Sequence, residues 1–218
     1  MMRTTLLAVL LSLAIVNAIL PLSPPVPKYE HAVRFGNTKA KNVFEIYIAL
    51  SCPDCKALWN DVVLKLINVP SIKDKVAFEV RHFALPYHTS SFELNKALLV
   101  VAKNVTEGKA EKVKFDFVKE VLLNQDPIYN EPLLDVTTRE IPSIIYDKYI
   151  SKVNPNLSKD DFLKMMSERS LWEEARATFK YATSRGVFGT PTILINGVPI
   201  YNSGYMGLMD WIEYLDKL

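Results

Sequence analysis

The chain has 218 residues, 49% hydrophobic, 23% charged and 11% aromatic, enough apolar material for a sizeable core and unlike disordered or collagen-like sequences. Lys and Arg total 26 against 24 for Asp and Glu, a formal net charge of +2, and the basic residues are scattered, which argues against a nucleic-acid partner. Two cysteines, Cys52 and Cys55, are too few for a disulfide-dense scaffold and too few to close a tetrahedral zinc site unaided.

At the start of the chain Arg3 precedes an apolar run over 6–16, and small residues follow near Ala18, the pattern of a secretory signal peptide over 1–18. The run is shorter than the roughly 20 apolar residues needed to cross a bilayer, so no stable membrane span is expected once the signal is removed. Residues 19–40 read as a Pro-rich, then polar, lead-in. Two sequons, at Asn104 and Asn156, fit passage through a glycosylating compartment and make both asparagines candidate glycan acceptors. The final residues, Leu215-Asp216-Lys217-Leu218, are not a KDEL-type retention signal, so the expected location is the secretory pathway, either secreted or in an endomembrane lumen.

Residues 43–50 (VFEIYIAL) are β-branched and aromatic and almost continuously apolar, as expected of a central strand covered on both faces. Leu58, Trp59, Val62, Val63, Leu66 and Ile67 then fall on one face of a helix ending near Asn68 and Pro70, with Pro53 in its first turn. Residues 76–85 (VAFEVRHFAL) alternate as a second strand, and strand, helix, strand calls for a parallel crossover. From 86 to 185 the pattern is helical. Ser90 with Glu93, Ser158 with Asp161 and Ser170 with Glu173 mark three capped starts, and Gly186 marks a stop. Strand character returns at 192–195, the turn Asn196-Gly197 opens a hairpin to 198–201, and a last helix covers 208–215.

Cys52-Pro53-Asp54-Cys55 lies where a buried strand runs into a helix, so the Cys52 sulfur should meet backbone N–H groups that favour a thiolate. A thiolate is the nucleophile of disulfide exchange, and a second cysteine one turn on can reach the first and expel a bound partner. Cys52 is then the nucleophile and Cys55 the resolving thiol. The bland alternatives are an inert small-ring disulfide, which gains little loop entropy, or half a metal site. His31, His82 and His88 have no ligand-like spacing to the pair, so no metal is expected.

The strand, CPDC and helix, together with Gly189-Thr190-Pro191-Thr192-Ile193-Leu194-Ile195-Asn196-Gly197, resemble the DsbA-like branch of the thioredoxin superfamily. The resemblance implies an α/β thioredoxin-like fold over 41–85 and 186–218 with a helical domain inserted over 86–185. It also implies that Pro191 is a cis-proline beside the cysteines and that the backbone of Thr190 pairs with an extended substrate segment. Apolar surface from the insertion would line the site, substrates would be proteins or peptides with thiols or disulfides, and no cofactor beyond the Cys52–Cys55 couple would be needed.

Two positions depart from that family. Its buried acid stands six residues before the nucleophilic cysteine, where this chain has Ile46; Glu45 is one residue away, and a one-residue shift sends a strand side chain to the other face unless a bulge intervenes. Glu45 therefore either tunes the site or points to solvent. Asp54 occupies a position where strongly oxidising relatives carry histidine, and a nearby carboxylate opposes a thiolate, so a couple nearer a reductase or isomerase is expected. Trp59, Trp172 and Trp211 read as core residues. The leading reading is a thiol-disulfide oxidoreductase. Its rivals are a non-catalytic polypeptide-binding or chaperone module and, weakened by the second cysteine, a glutathione-using enzyme.

Overall fold

In a computed structural model that describes residues 31–106, 108–201 and 203–218, five strands form one sheet. They are β1 (Val33–Gly36), β2 (Asn42–Ile48), β3 (Val76–His82), β4 (Thr192–Ile195) and β5 (Val198–Pro199), side by side in the order β1-β3-β2-β4-β5. β2 and β3 are parallel, and the helix between them, α1, makes the crossover: it starts as Pro53–Leu58, passes through a π turn at Trp59–Val63 and ends as Leu64–Leu66. A short α2 (Pro70–Lys73) leads into β3. β4 returns antiparallel to β2, and β5 closes the hairpin through Asn196 and Gly197, both at positive φ as a two-residue turn requires. The signal peptide expected over 1–18, and the lead-in up to residue 30, lie outside the described residues. Residues 33–36, also read as lead-in, instead form the edge strand β1, antiparallel to β3.

The two faces of the sheet carry different chemistry. On one, Phe35, Phe78 and Phe44 lie in register across β1, β3 and β2, and Trp59 of α1 meets Phe35 with ring centroids 5.9 Å apart. Trp211, from the last helix α8 (Leu208–Asp216), packs against Phe44 at 4.8 Å. On the other, Glu45, Glu79 and Arg81 form a buried charge cluster: Arg81 bonds Glu79 at 2.7 Å and approaches Glu45 at 3.6 Å. Gly36 ends β1 at φ +72°, and a Cβ there would stand 3.1 Å from a Phe78 ring carbon. Gly36→Ala should therefore cost about 1–2 kcal/mol, the usual penalty of a left-handed backbone for an L-residue, read as a lower denaturant midpoint at unchanged slope.

Between β3 and β4 the chain is helical, as expected: α3 (Ser91–Val100), α4 (Ala110–Leu123), α5 (Ile141–Ile145, continued by a π turn at Tyr146–Ile150 and by Ser151–Val153), α6 (Lys159–Met166) and α7 (Arg169–Ser184). α3 is almost wholly buried, and its Asn95 amide ties it to α7 through the Ala175 carbonyl at 3.1 Å and the Thr178 hydroxyl at 2.8 Å. Of the three expected caps, Ser158 accepts from the Asp161 N–H as read. Ser90 precedes α3 but turns its hydroxyl to the Ile128 carbonyl at 2.7 Å instead, and Ser170 lies inside α7, which starts after Glu168. Trp172 is also not core: it is 38% exposed, with the Arg169 guanidinium 4.6 Å from its ring centroid. Among the described residues no helix is long and apolar enough to cross a membrane.

Candidate active site

The turn from β2 into α1 places the two cysteines at the end of the sheet where the parallel strands finish. Cys52 is the residue before the helix, in extended conformation with its N–H bonded to the Ala49 carbonyl at 3.0 Å, and Pro53 follows at the first helical position, where a missing N–H costs nothing. Both cysteines are free thiols. Cys52 retains 4% of its surface and Cys55 1%, so a visitor reaches Cys52 first. The Thr190-Pro191 peptide bond is cis, and the Thr190 carbonyl lies 3.5 Å from the Cys52 sulfur. The structure therefore brings Cys52, Cys55, Pro53, Asp54, Thr190 and Pro191 together.

The two thiols are held at very different acidities. Cys55 donates a hydrogen bond to the Cys52 sulfur, and this, with help from Thr190 and from the backbone N–H groups of Cys55 and Asp54, outweighs burial and brings Cys52 down to about 6. Cys55 is pushed well above the ordinary thiol value, first by burial and then by the Cys52 charge next to it. One sulfur is thus an anion at neutral pH and its neighbour a thiol.

Two sequence expectations change. Glu45 neither tunes the thiols nor points to solvent. Side chains alternate along β2, so Glu45 lies on the face away from Phe44, Ile46 and α1, buried against Arg81, with the Tyr47 hydroxyl 3.4 Å away. Ile46, on the α1 side, leaves that position apolar. Asp54 is exposed and acts on Cys52 through its backbone N–H, while its carboxylate is not among the groups that set Cys52's acidity. Asp54→Asn should accordingly move the pH midpoint of Cys52 alkylation by less than about half a unit, because water screens a charge at the helix mouth.

Three residues beside Cys52 were not legible as functional in the sequence. His82, at the end of β3, accepts the Leu50 N–H on Nε2 at 3.2 Å; complete burial keeps it neutral, with a pKa lowered to about 3. Gln125 and Tyr129 come from the segment after α4. The Gln125 amide bonds the Leu50 and Cys52 carbonyls at 2.7 and 3.0 Å, and the Tyr129 hydroxyl bonds Gln125 at 2.6 Å. Neither carries a motif, and only the fold brings them to the turn.

Beside the cis-proline a groove of about 950 Å³ opens, walled by Asp54 and Leu58 of α1, by Pro191, and by Phe188, Tyr201 and Tyr205. Phe188, Tyr201 and Tyr205 are each at least 90% exposed, an apolar display that isolated surface residues do not make. The groove's walls come from α1, the loop before β4 and the segment after β5, and of residues 86–185 only Arg185 lines it, while on the Cys52 side the insertion contributes Gln125 and Tyr129.

A parallel β2-α1-β3 crossover, paired thiols at its turn, a cis-proline loop against them and an antiparallel hairpin completing the sheet define a thioredoxin-fold protein with a dithiol centre. The model of the Thioredoxin family matches residues 28–214, and the chain belongs to that family. Among solved structures it is similar to Wolbachia pipientis alpha-DsbA1, at 22% identity and TM-score 0.65 over 90% of this chain and 94% of that one. It is also similar to Chlamydia trachomatis DsbA, at 12% and 0.67 over 90% and 96%, and to oxidised BdbD from Bacillus subtilis, at 16% and 0.65 over 88% and 94%. At these identities the likeness establishes the DsbA-like version of the fold. No curated protein matches the chain.

Proposed function

We propose that the chain is a thiol-disulfide oxidoreductase of the secretory pathway that acts on protein disulfides, with Cys52 as nucleophile and Cys55 as resolving thiol. The observation that carries this reading is the division of acidity between two hydrogen-bonded sulfurs lying beside the Thr190 carbonyl. The Cys52 thiolate attacks a substrate disulfide; one sulfur–sulfur bond breaks, a mixed disulfide forms, and the first substrate sulfur leaves as a thiolate that takes a proton from water. Cys55 then passes its proton to water and attacks the Cys52 sulfur. The second substrate thiolate departs, so the substrate gains two electrons and the Cys52–Cys55 pair loses two. Run backwards, the same steps oxidise a substrate dithiol. The couple is the only redox group these steps require.

An extended polypeptide suits the site because its backbone can pair at Thr190 while apolar side chains occupy the groove beyond Pro191. Passage through the secretory route is supported by Asn104 and Asn156, both exposed in turns among the helices, where glycans can be attached without touching the core. The test compares wild type with Cys52→Ser in the reduction of a disulfide-bonded model protein by a small dithiol. The enzyme reading requires that the variant fall to the uncatalysed rate. Equal rates would make the fold a polypeptide-binding module.

A further inference from the structure

We propose that Gln125, locked by the hydroxyl of Tyr129, is a positioning residue for the Cys52 thiolate and the link through which the helical segment holds the nucleophile in place. The inference rests on the functional reading above and extends it to a pair of residues outside the sheet and α1. Gln125 is fully buried, and its amide nitrogen has two hydrogens, both in use: one goes to the Leu50 carbonyl at 2.7 Å and the other to the Cys52 carbonyl at 3.0 Å. Those carbonyls flank Ser51 at the point where β2 turns into α1. The Cys52 carbonyl also accepts the Lys56 N–H at 3.2 Å, which begins the helix. Two donors on this oxygen hold its negative end away from the sulfur and draw charge from it, both of which favour an anion on the same residue.

An amide can serve these carbonyls in only one of its two orientations. Rotated by half a turn, Gln125 would set its own oxygen against both of them, leaving two buried acceptors facing a third. The two carbonyls therefore fix the orientation, and the Tyr129 hydroxyl reinforces it by donating to the Gln125 oxygen at 2.6 Å. Tyr129 itself is only partly buried, and its phenol is made less acidic by burial, by Asp126 and by the charge on Cys52. The segment that carries the pair is fixed at both ends. The Tyr149 hydroxyl bonds the Asn124 carbonyl at 2.7 Å, and the Ser90 hydroxyl bonds the Ile128 carbonyl at 2.7 Å. The other side of the turn is held by His82 through the Leu50 N–H, so the chain around Cys52 is gripped from the sheet and from the helices at once.

The pH dependence of Cys52 alkylation in the reduced full-length protein, followed by mass spectrometry, tests this, with thermal unfolding as a control for folding. Wild type should give a midpoint near 6. Gln125→Leu, uncharged and without donors, should raise it by about one unit, a tenfold loss of thiolate on the acid side. Tyr129→Phe should raise it by a smaller amount, since the Gln125 oxygen then loses its donor and the amide is held less firmly by the two carbonyls alone. A midpoint in folded Tyr129→Phe equal to that of wild type overturns the proposal, even if Gln125→Leu does not fold. Lowered thermal stability with unmoved midpoints in both variants overturns it as well, because the residues are then only structural. A wild-type midpoint at the ordinary thiol value would sink the functional reading and this one together; a low wild-type midpoint shared by both variants sinks this one alone.

Discussion

Cys55→Ser should turn the protein from a catalyst into a covalent trap. In this variant Cys52 still attacks a substrate disulfide, but the mixed disulfide has lost the neighbour that releases it. Well-oriented intramolecular reactions reach effective molarities on the order of 10⁵ M, whereas an external thiol is present at millimolar levels, so release should slow by several orders of magnitude. Adducts should therefore accumulate on non-reducing gels, disappear with reductant, and be absent from Cys52→Ser. The assignment of roles follows from burial and charge: Cys55 is 1% exposed and held protonated by its surroundings, while Cys52 carries the anion. A Cys55→Ser protein that turns over like wild type, or a Cys52→Ser protein that forms the adducts, would reverse or abolish that assignment.

The second large effect concerns pH. With Cys52 at about 6, the thiolate fraction falls about tenfold between pH 7 and pH 5, so alkylation should slow about tenfold, whereas an ordinary thiol slows about a hundredfold over the same interval. The rate at pH 7 should exceed that of an ordinary thiol by only a few-fold, because the more stable anion is also the weaker nucleophile. Stability follows from the same shift. The thiolate contribution to the reduced fold is complete above the unfolded thiol's value near 9 and is lost as pH falls through the folded value near 6. Cys55, shifted upward, is protonated in both states below 9 and leaves that window unaltered. The melting temperature of the reduced protein should thus fall relative to the oxidised one between pH 9 and pH 6, and a gap independent of pH would refute the low value for Cys52. Stabilising the thiolate also makes the disulfide a better oxidant. An acidity between the values of about 7 in thioredoxin and about 3.5 in DsbA predicts a potential between their roughly −270 and −120 mV, measurable against glutathione.

The parts of this molecule that were legible in the sequence are those whose signal is local. The apolar run of β2, the period of α1 and the Asn196-Gly197 turn each follow from neighbouring residues, and together with CPDC and Thr190-Pro191 they pointed to the fold and the thiol pair. β1 was missed because Val-Arg-Phe-Gly is too short to show alternation, and its stability comes from pairing with β3. The π turns in α1 and α5 leave no mark on composition. Glu45 was undecidable because the choice between the two faces of a strand depends on register, and register is settled by what covers each face. Gln125 lies 73 residues from Cys52, and no rule of spacing connects a helix-terminal amide to a carbonyl that far away.

The last strand of the sheet leaves little for a stray polypeptide to annex. Ile200 sends its N–H inward to the Ile193 carbonyl at 2.9 Å, so the preceding residue faces outward, and that residue is Pro199, which has no N–H to offer. A two-residue border with its outward donor deleted is a poor template for sideways growth into fibres. On the function proposed above, a substrate chain would instead pair at the Thr190 backbone, whose carbonyl lies 3.5 Å from the Cys52 sulfur.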